Sequence, residues 1–327
     1  MNSFGRIFRT SIFGESHGES IGVVIDGSPA GIPLSEEDFL EDLSRRKSGG
    51  PGTTPRKEDD KPIIKSGVFK GKTTGAPVTV IFENNDVKSK DYESVKDIPR
   101  PGHADFVAMK KYGGFNDYRG GGHFSGRMTL GLVAAGVLAR KIIEPVRIDA
   151  KIIKARGSGD IKEVIKQTLL GGDSVGGLVR CEVGNVPIGP GEPFFDSVES
   201  LISHAVFSIP GINGIDFGSG FSASKMKGSI HNDLIIDSDG TTETNNSGGI
   251  NGGIANGNNI LFTVSVKPSS GIKKAQSTYS FKEGKRVEMS IKGRHDACIA
   301  LRVPVIVEAC AAIVLADLIL LNKKLHG

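Results

Sequence analysis

The sequence RGGGHFSGR, residues 119–127, leads directly into a segment whose apolar residues recur at helical spacing. The pattern predicts a helix that begins near Gly126 and ends before Pro145. Its apolar face carries Leu130, Val133, Ala134, Val137 and Leu138. Free backbone N–H groups at a helix start, preceded by three glycines, can bind an anion. Capping by Ser125 is a simpler explanation for the serine, but it leaves the glycines and both arginines unexplained.

On either side of this helix, strand-like and helix-like segments follow one another without a regular βα period. Runs rich in β-branched residues predict strands at 21–25, 78–82, 148–153, 178–183 and 260–266. Three more helices are predicted: 35–46 with a capping box, one after Asp196, and one from Pro304 to about Asn322. The last helix is apolar nearly all round and is expected to be buried. This irregular mixture predicts an α+β fold, not a doubly wound parallel sheet.

No linker, repeat or charge block divides the chain, so we expect a single domain over residues 1–327. Residues 240–259 contain six glycines and six asparagines between strand-like runs, which predicts a long functional loop. Glycine is abundant throughout, at 45 of 327 residues. Many hairpins, or loops that approach an anionic ligand closely, would each explain that excess.

Charge and cysteine usage exclude several classes of protein. The 41 basic and 37 acidic residues leave a net charge of +4, which argues against a dedicated nucleic-acid binder. Cys181, Cys298 and Cys310 lie far apart, so the sequence predicts neither a disulfide framework nor a metal site and fits a reducing cytoplasm. The N-terminus has no signal or transit pattern. The most apolar stretch, residues 309–316, is eight residues long and is expected not to span a membrane.

Three short polar segments place a histidine within two residues of a glycine. In FGESHG, residues 13–18, His17 lies between small residues, which predicts an exposed turn; a neutral-pH proton donor and an ordinary surface histidine both fit. In RPGHAD, residues 100–105, His103 precedes a helix start, where it could act on a ligand or pack the helix end. In KGRHD, residues 292–296, Arg, His and Asp offer an anion clamp and a proton-transfer group, or simple surface ion pairs.

Basic side chains cluster at the end of the first helix and in the loop after it. Arg45 and Arg46 suit the negative end of a helix dipole. Arg56 and Lys57 extend the positive charge into a Gly/Pro-rich loop. Because the arginine fork matches phosphate and carboxylate groups, an anion-gripping flap is as consistent with the pattern as dipole stabilisation alone.

Five segments together resemble the chorismate synthase family, and they occur in that family's order. They are GESHG, RPGHAD, RGGG-x-x-S-x-R, GEPxFD at 191–196, and GRHD. The resemblance extends from Phe4 to about Leu321. It implies a β-α-β sandwich of antiparallel sheets with the helices outside, assembled as a homotetramer.

The resemblance also implies a reaction, namely the anti-1,4-elimination of phosphate and a C6 hydrogen from 5-enolpyruvylshikimate 3-phosphate to give chorismate. The family requires reduced FMN although no net redox change occurs. The C6 hydrogen has no adjacent carbonyl to acidify it, so a side-chain base alone is poorly matched to it. The sequence leaves open whether NADPH is the reductant. It also leaves open two other classes, a flavin-dependent NAD(P)H oxidoreductase and an anion-binding protein without turnover.

Residue roles follow from the matched motifs. By resemblance, His17 donates a proton to the departing phosphate, His103 supports the anionic reduced flavin, and Asp296 is the flavin-side proton relay, with Ser16 and Ser125 nearby. The implied substrate ligands are Arg46, Arg100, Arg127 and Arg294. The implied FMN contacts are His123, Phe124, Ser125, Pro210, Gly211, Gly252, Lys267, Pro268, Ser269, Ser270, Gly271 and Arg294. Arg46 and Arg56 are the implied NADPH-facing residues.

The sequence departs from the family's pattern in three places. Residues 49–52 read GGPG where many members carry a further arginine, which leaves Arg56 as the candidate substitute. His123 and Phe124 stand where many members have Arg-Ser, so we expect FMN contacts there through the backbone alone. The segment 147–171 is short, which predicts a missing surface excursion without loss of chemistry.

Overall fold

The computed structural model describes residues 2–53, 59–85, 96–290 and 296–326. Its helices are α1 (Leu40–Arg46), α2 (Asp105–Lys111), α3 (Thr129–Ile142), α4 (Ile161–Leu170), α5 (Val198–Val206), α6 (Gly228–His231) and α7 (Pro304–His326). Its strands are β1 (Ser3–Phe4), β2 (Arg9–Gly14), β3 (Ser20–Asp26), β4 (Ile63–Ser66), β5 (Val68–Phe69), β6 (Lys72–Thr73), β7 (Val78–Glu83), β8 (Arg147–Ala155), β9 (Gly177–Gly184), β10 (Ile212–Phe217), β11 (Ile250–Asn251), β12 (Ile254–Ala255), β13 (Ile260–Val266), β14 (Gln276–Ser280) and β15 (Lys285–Met289).

Two antiparallel sheets carry most of the strands. The first has the strand order β1-β2-β3-β7-β4 and the second β10-β13-β9-β8, while β5–β6, β11–β12 and β14–β15 form separate hairpins. The five predicted strands are β3, β7, β8, β9 and β13, and the four predicted helices are α1, α3, α5 and α7. The predicted capping box of Ser35 and Asp38 is present in a 3-10 turn before α1. The predicted α+β class and its antiparallel sheets are therefore confirmed.

Helices α3 and α7 form a middle layer between the two sheets. α3 packs against β2, β3 and β7, α7 packs against β8 and β9, and the two helices pack on each other. Every residue from Thr129 to Ala139 and from Val305 to Ile319 is buried. This layering confirms the implied β-α-β sandwich, but α3 and α7 lie between the sheets and not outside them. Both helices are apolar around their whole circumference, so each must be covered on every side.

Helix α7 is a core helix despite its composition. It is 23 residues long and apolar enough to cross a membrane, but 83% of its most apolar window is buried inside the fold. The eight-residue apolar stretch lies between Glu308 and Asp317, and both carboxylates are buried. Glu308 accepts two hydrogen bonds from the Arg45 guanidinium, at 2.6 and 2.7 Å, and one from the Ala150 N–H at 2.9 Å. These bonds tie α7 to α1 and β8.

The second buried carboxylate of α7 anchors the N-terminal hairpin. Asp317 accepts hydrogen bonds from the backbone N–H groups of Arg6, Ile7 and Phe8, at 2.6 to 3.0 Å. The turn between β1 and β2 thereby finds partners for three donors that burial would otherwise leave unpaired. This anchor holds the first residues of the chain against the end of the molecule that carries the site described below.

The close contact of α3 and α7 can be tested at Gly136. A β-carbon at this position would lie 2.4 Å from Ala309 Cβ and 2.6 Å from Ala309 Cα. An alanine ordinarily stabilises a helix by about 1 kcal/mol relative to glycine, so a loss would report the packing. We predict that Gly136→Ala lowers the free energy of unfolding by about 1–3 kcal/mol in urea denaturation.

Gly159→Ala is the control for this measurement. A β-carbon at Gly159 would meet no atom of the described residues within 4 Å, and the φ of Gly159 is not in the left-handed region. We expect that variant to unfold like the wild type. Equal stabilities for the two variants would contradict the tight helix contact.

Candidate active site

The site is built around the turn formed by Gly120, Gly121 and Gly122. All three have positive φ values, of 58°, 83° and 51°, in a region that is costly for residues with a β-carbon. The Gly122 carbonyl accepts the Ser16 N–H at 3.2 Å, which holds the turn against the GESHG segment. Ser125 then caps the helical segment, because its Oγ accepts the Arg127 N–H at 3.3 Å. The predicted glycine turn at a helix start is present.

The His17 imidazole packs directly on Gly120. A β-carbon at Gly120 would lie 2.2 Å from the Nδ1 and Cε1 atoms of the ring. His17 is only 7% exposed, and its Nδ1 lies 3.3 Å from Ser16 Oγ. The expectation of an exposed turn is wrong, because the missing side chain of Gly120 leaves the space that the ring fills.

His103 lies against the next glycine of the same turn. A β-carbon at Gly121 would be 3.5 Å from the Nε2 and Cε1 atoms of the ring. The Nδ1 atom of His103 lies 2.7 Å from Asp105 Oδ1. Two imidazoles, from segments that are about 90 residues apart in sequence, therefore meet at consecutive glycines.

A cavity of about 700 Å³ opens beside the glycine turn. The predicted site residues that line it are His103, His123, Phe124, Ser125, Pro210, Gly211, Lys267, Pro268, Ser269, Ser270 and Asp296. Met128 and Thr129 at the start of α3, and Val303 and Ile306 at the start of α7, add to its wall. Its volume is in the range of cofactor and substrate pockets.

Other predicted residues do not line this cavity. Ser16 and His17 lie behind Gly120, and Arg46, Arg100 and Arg127 are held by nearby carboxylates. Gly252 and Gly271 are not part of the lining. Arg56 and Arg294 lie outside the described residues. The ligand roles of these residues stay predictions, including the NADPH-facing role of Arg46 and Arg56.

Arg46 and Arg127 share the carboxylate of Asp60. Arg46 Nη2 lies 2.8 Å from Oδ2 and Arg127 Nη1 lies 2.7 Å from Oδ1, and all three side chains are buried. Burial lowers the pKa of Arg46 to about 10, although Asp60 counteracts it. Burial alone would raise the pKa of Asp60, but the two guanidinium charges outweigh it and lower that pKa.

One edge of the Arg46 guanidinium is left for a further acceptor. Its Nε and Nη1 atoms are buried and have no hydrogen-bond partner among the described residues. Leaving buried donors of a charged group unpaired is costly. A ligand carboxylate or phosphate would match these donors, because guanidinium groups bind such anions with parallel hydrogen bonds.

Arg302 was missed by the sequence analysis and lines the cavity. Its Nε donates to the Arg46 carbonyl at 2.9 Å, and its Nη1 lies 3.3 Å from Asp296 Oδ2. It therefore links the predicted proton relay to the buried arginine pair. The sequence feature that could have indicated Arg302 is its position two residues before Pro304, where an apolar helix begins. Asp60 gave no signal, because its pairing partners come from distant segments.

The first residues of the chain form another part of the wall that the sequence did not predict. Asn2, Ser3 and Phe4 line the cavity. The His123 ring is held between them and β2: its Nε2 lies 3.1 Å from Asn2 Oδ1 and its Nδ1 lies 3.2 Å from the Gly14 carbonyl. Both ring nitrogens lie near protein oxygen atoms, and an FMN contact through the backbone at this position stays a prediction.

An α+β sandwich whose pocket combines imidazoles, a carboxylate and an arginine, with a buried arginine pair linked to that arginine, defines an enzyme that acts on an anionic small molecule. The chain belongs to the chorismate synthase family, whose sequence model matches residues 8–320. It is 61% identical to the chorismate synthase of Chitinophaga pinensis, covering 99% of this chain and 98% of that one. It is 44% identical to the enzyme of Pyrococcus abyssi, covering 98% of both chains. A crystal structure of chorismate synthase matches with a TM-score of 0.76 at 27% identity, covering 99% of this chain and 94% of that one.

The buried Arg46–Asp60–Arg127 cluster generates a test of stability against pH. We predict that Asp60→Asn lowers the free energy of unfolding near pH 7 by about 3–5 kcal/mol, because it removes the carboxylate that faces two buried guanidinium groups. The pKa of Asp60 is lower in the folded state, so its stabilisation is complete above the unfolded pKa of about 4. It is lost as the pH falls through the folded value, and the difference between the two proteins should shrink there.

The matched control is Asp173→Asn, which removes a carboxylate from the exposed ion pair with Lys274, 2.8 Å long. An exposed pair contributes at most about 1 kcal/mol, so this variant should unfold like the wild type. Denaturant unfolding from pH 3 to 8 measures both. A loss for Asp60→Asn no larger than the control's would show that the cluster contributes nothing specific.

Proposed function

We propose that the cavity beside the glycine turn is where this enzyme eliminates phosphate from 5-enolpyruvylshikimate 3-phosphate, with reduced FMN bound in the same cavity. Chorismate synthases are carbon–oxygen lyases, and the chain carries out the family's step, the last of the shikimate pathway. In that step the C3 phosphate and a C6 hydrogen leave, and chorismate forms. The observation that carries the proposed location is the meeting of His17 and His103 at consecutive glycines beside a cavity of about 700 Å³.

The lining of the cavity fits a flavin nucleotide. Lys267 and Ser269 offer donors for a phosphate, while the hydroxyl of Ser270 beside them donates to the Gly102 carbonyl. Apolar surface that suits a planar ring comes from Leu132, Ile299, Ile306 and Ile313. When bound in its reduced form, FMN supplies an electron that promotes loss of phosphate and is recovered when the C6 hydrogen leaves. The protein's part is to bind, orient and exclude water.

Three arginines supply the positive charge that a ligand with three anionic groups needs. Arg46 carries two buried donors without a partner in the part of the chain that the structure describes, and Arg302 lines the cavity itself. Arg127 is joined to Arg46 through Asp60. Because these groups are largely removed from water, their attraction for an anion is stronger than that of surface arginines. They would hold the substrate's phosphate and carboxylates in one orientation.

The two histidines and Asp296 would handle protons in this site. An imidazole exchanges a proton near neutral pH, so His17 is suited to protonate the departing phosphate. Its Nδ1 lies 3.3 Å from Ser16 Oγ, which orients the ring. His103 faces the cavity from the next glycine, where it would support the negative charge of the reduced cofactor. Asp296, 3.3 Å from Arg302, would serve as the relay for the C6 hydrogen.

We also propose a homotetramer that works in the cytoplasm. Phe194, Phe195 and Phe221 are between 83% and 91% exposed, and such apolar surface is typical of contacts between subunits. The three cysteines are free and buried, as is common in a reducing compartment.

An anaerobic assay tests the activity against that of a flavin-dependent oxidoreductase. Photoreduced FMN and 5-enolpyruvylshikimate 3-phosphate are supplied without any nicotinamide. We expect many phosphate molecules released per FMN, with a transient change in flavin absorbance and no net flavin oxidation. Phosphate release that stops after one turnover per FMN, or that requires NADPH when the flavin is already reduced, would contradict the lyase assignment.

The two histidines are tested by substitution. We expect His17→Ala and His103→Ala to fold normally and each to lower kcat by about 10²- to 10⁴-fold, the usual contribution of a general acid–base group. His326→Ala, at the exposed end of α7, is the control and should keep full activity. Wild-type turnover in either active-site variant would remove that histidine from the chemistry.

A further inference from the structure

The carboxylate of Asp105 connects Arg100 and His103 at the start of α2. Asp105 Oδ2 accepts from Arg100 Nε at 2.7 Å and from the Arg100 backbone N–H at 3.1 Å. Its Oδ1 accepts from Arg100 Nη2 at 2.8 Å and lies 2.7 Å from His103 Nδ1. The Asp105 side chain is only 6% exposed. An arginine and an imidazole therefore converge on one buried carboxylate.

These contacts decide which ring nitrogen of His103 carries a proton. The Nδ1 atom has two neighbours, Asp105 Oδ1 at 2.7 Å and Arg100 Nη2 at 3.1 Å. A carboxylate can only accept and a guanidinium can only donate. An Nδ1 lone pair and a carboxylate oxygen would repel each other at 2.7 Å, whereas the longer contact of 3.1 Å with Arg100 Nη2, which also donates to Asp105 Oδ1 at 2.8 Å, does not depend on a hydrogen bond to the ring. The short contact to the carboxylate therefore requires Nδ1 to be the donor, so His103 carries its proton on Nδ1.

With Nδ1 bound to Asp105, the other ring nitrogen is left for the cavity. His103 lines the cavity, and its Nε2 is on the side of the ring that faces Gly121. In the neutral ring with a proton on Nδ1, Nε2 is an acceptor, and it becomes a donor only when the ring takes up a second proton. A carboxylate partner that sets the tautomer and direction of a histidine is a recurrent arrangement in enzyme sites.

We propose that Asp105 is a positioning residue that holds His103 with its proton on Nδ1 and Nε2 directed at the ligand, and that Arg100 completes this unit. The inference rests on the proposed role of His103. It gives Arg100 a task other than the substrate binding that the resemblance implied, since its Nε and Nη2 are both directed at Asp105.

The surroundings keep this unit rigid and charged. Burial alone would raise the pKa of Asp105, but the hydrogen bonds from Arg100 and His103 outweigh it and hold the pKa well below its usual range. The carboxylate is therefore ionised at neutral pH. The backbone is fixed from the other side, because the Gly102 carbonyl accepts from Lys267 Nζ at 2.9 Å and from Ser270 Oγ at 2.8 Å.

A double-mutant cycle separates positioning from a general structural effect. We expect Asp105→Ala and the shape-preserving Asp105→Asn each to lower kcat about 10- to 100-fold with little change in KM. In a His103→Ala background the same substitutions should cost less than about threefold, because they act through a ring that is no longer there.

Asp38→Asn is the matched control. Asp38 also accepts one backbone N–H, from Ser35 at 2.7 Å, and one cationic side chain, Lys141 at 2.8 Å, but it has no imidazole partner. It should leave kcat unchanged. Circular dichroism and thermal melts confirm that each variant is folded before its kinetics are compared.

A spectroscopic measurement gives a readout that does not depend on activity. In protein labelled with ¹⁵N-histidine, two-bond ¹H–¹⁵N correlations identify the tautomer of each neutral ring, and His103→Ala assigns the His103 signal. We expect the wild type and Asp38→Asn to show the proton on Nδ1 of His103. Asp105→Ala should lose that preference, while the other histidine signals stay in place.

The outcomes distinguish the two proposals. Full activity of His103→Ala would overturn the proposed role of His103, and the tautomer measurement would still decide whether Asp105 holds the ring. Additive effects in the cycle, or an unchanged His103 tautomer in both Asp105 variants, would overturn the positioning role and leave the role of His103 intact.

Discussion

The packing of α3 on α7 is the contact on which the active site depends. The two helices approach so closely at Gly136 and Ala309 that there is no room for a β-carbon on Gly136. Their first turns line the cavity, and the segments just before those turns carry the glycine turn and Asp296. Protein cores pack as densely as organic crystals, so the helix pair fixes the distance between these segments. The site inherits its geometry from the core.

Around that core, the charged groups of the site are paired before any ligand arrives. Asp60 pairs with both Arg46 and Arg127, and Asp105 holds Arg100 and His103. Buried charges need such partners because desolvation is expensive. The pairing also orients the atoms that do not contact a carboxylate. These atoms are Nε and Nη1 of Arg46 and Nε2 of His103. Structural ion pairs thereby set the direction in which functional atoms point.

Much of this protein could be predicted from local pattern. The strands β3, β7, β8, β9 and β13 and the helices α1, α3, α5 and α7 lie where β-branched runs, apolar periodicity and caps indicated them. The glycine turn before α3 and the histidine after RPG also lie at the predicted site. The wrong predictions concern the tertiary surroundings of individual side chains. His17 looked exposed because its sequence neighbours are small, yet its ring is covered by Gly120, which is about 100 residues away in the chain.

The sequence by itself determined the secondary structure, the glycine turn and the family's chemistry, because these depend on residues close together or on ordered motifs. Only the tertiary structure decided that α3 and α7 lie between the two sheets, that His17 is buried, and which groups pair with Asp60, Asp105 and Arg302. Those features depend on which distant segments meet. An apolar face or a charged residue in the sequence does not specify which distant residue will be its partner. A helix that is apolar on every side is predicted to be buried. The packing of the whole chain decides that two sheets bury α3 and α7.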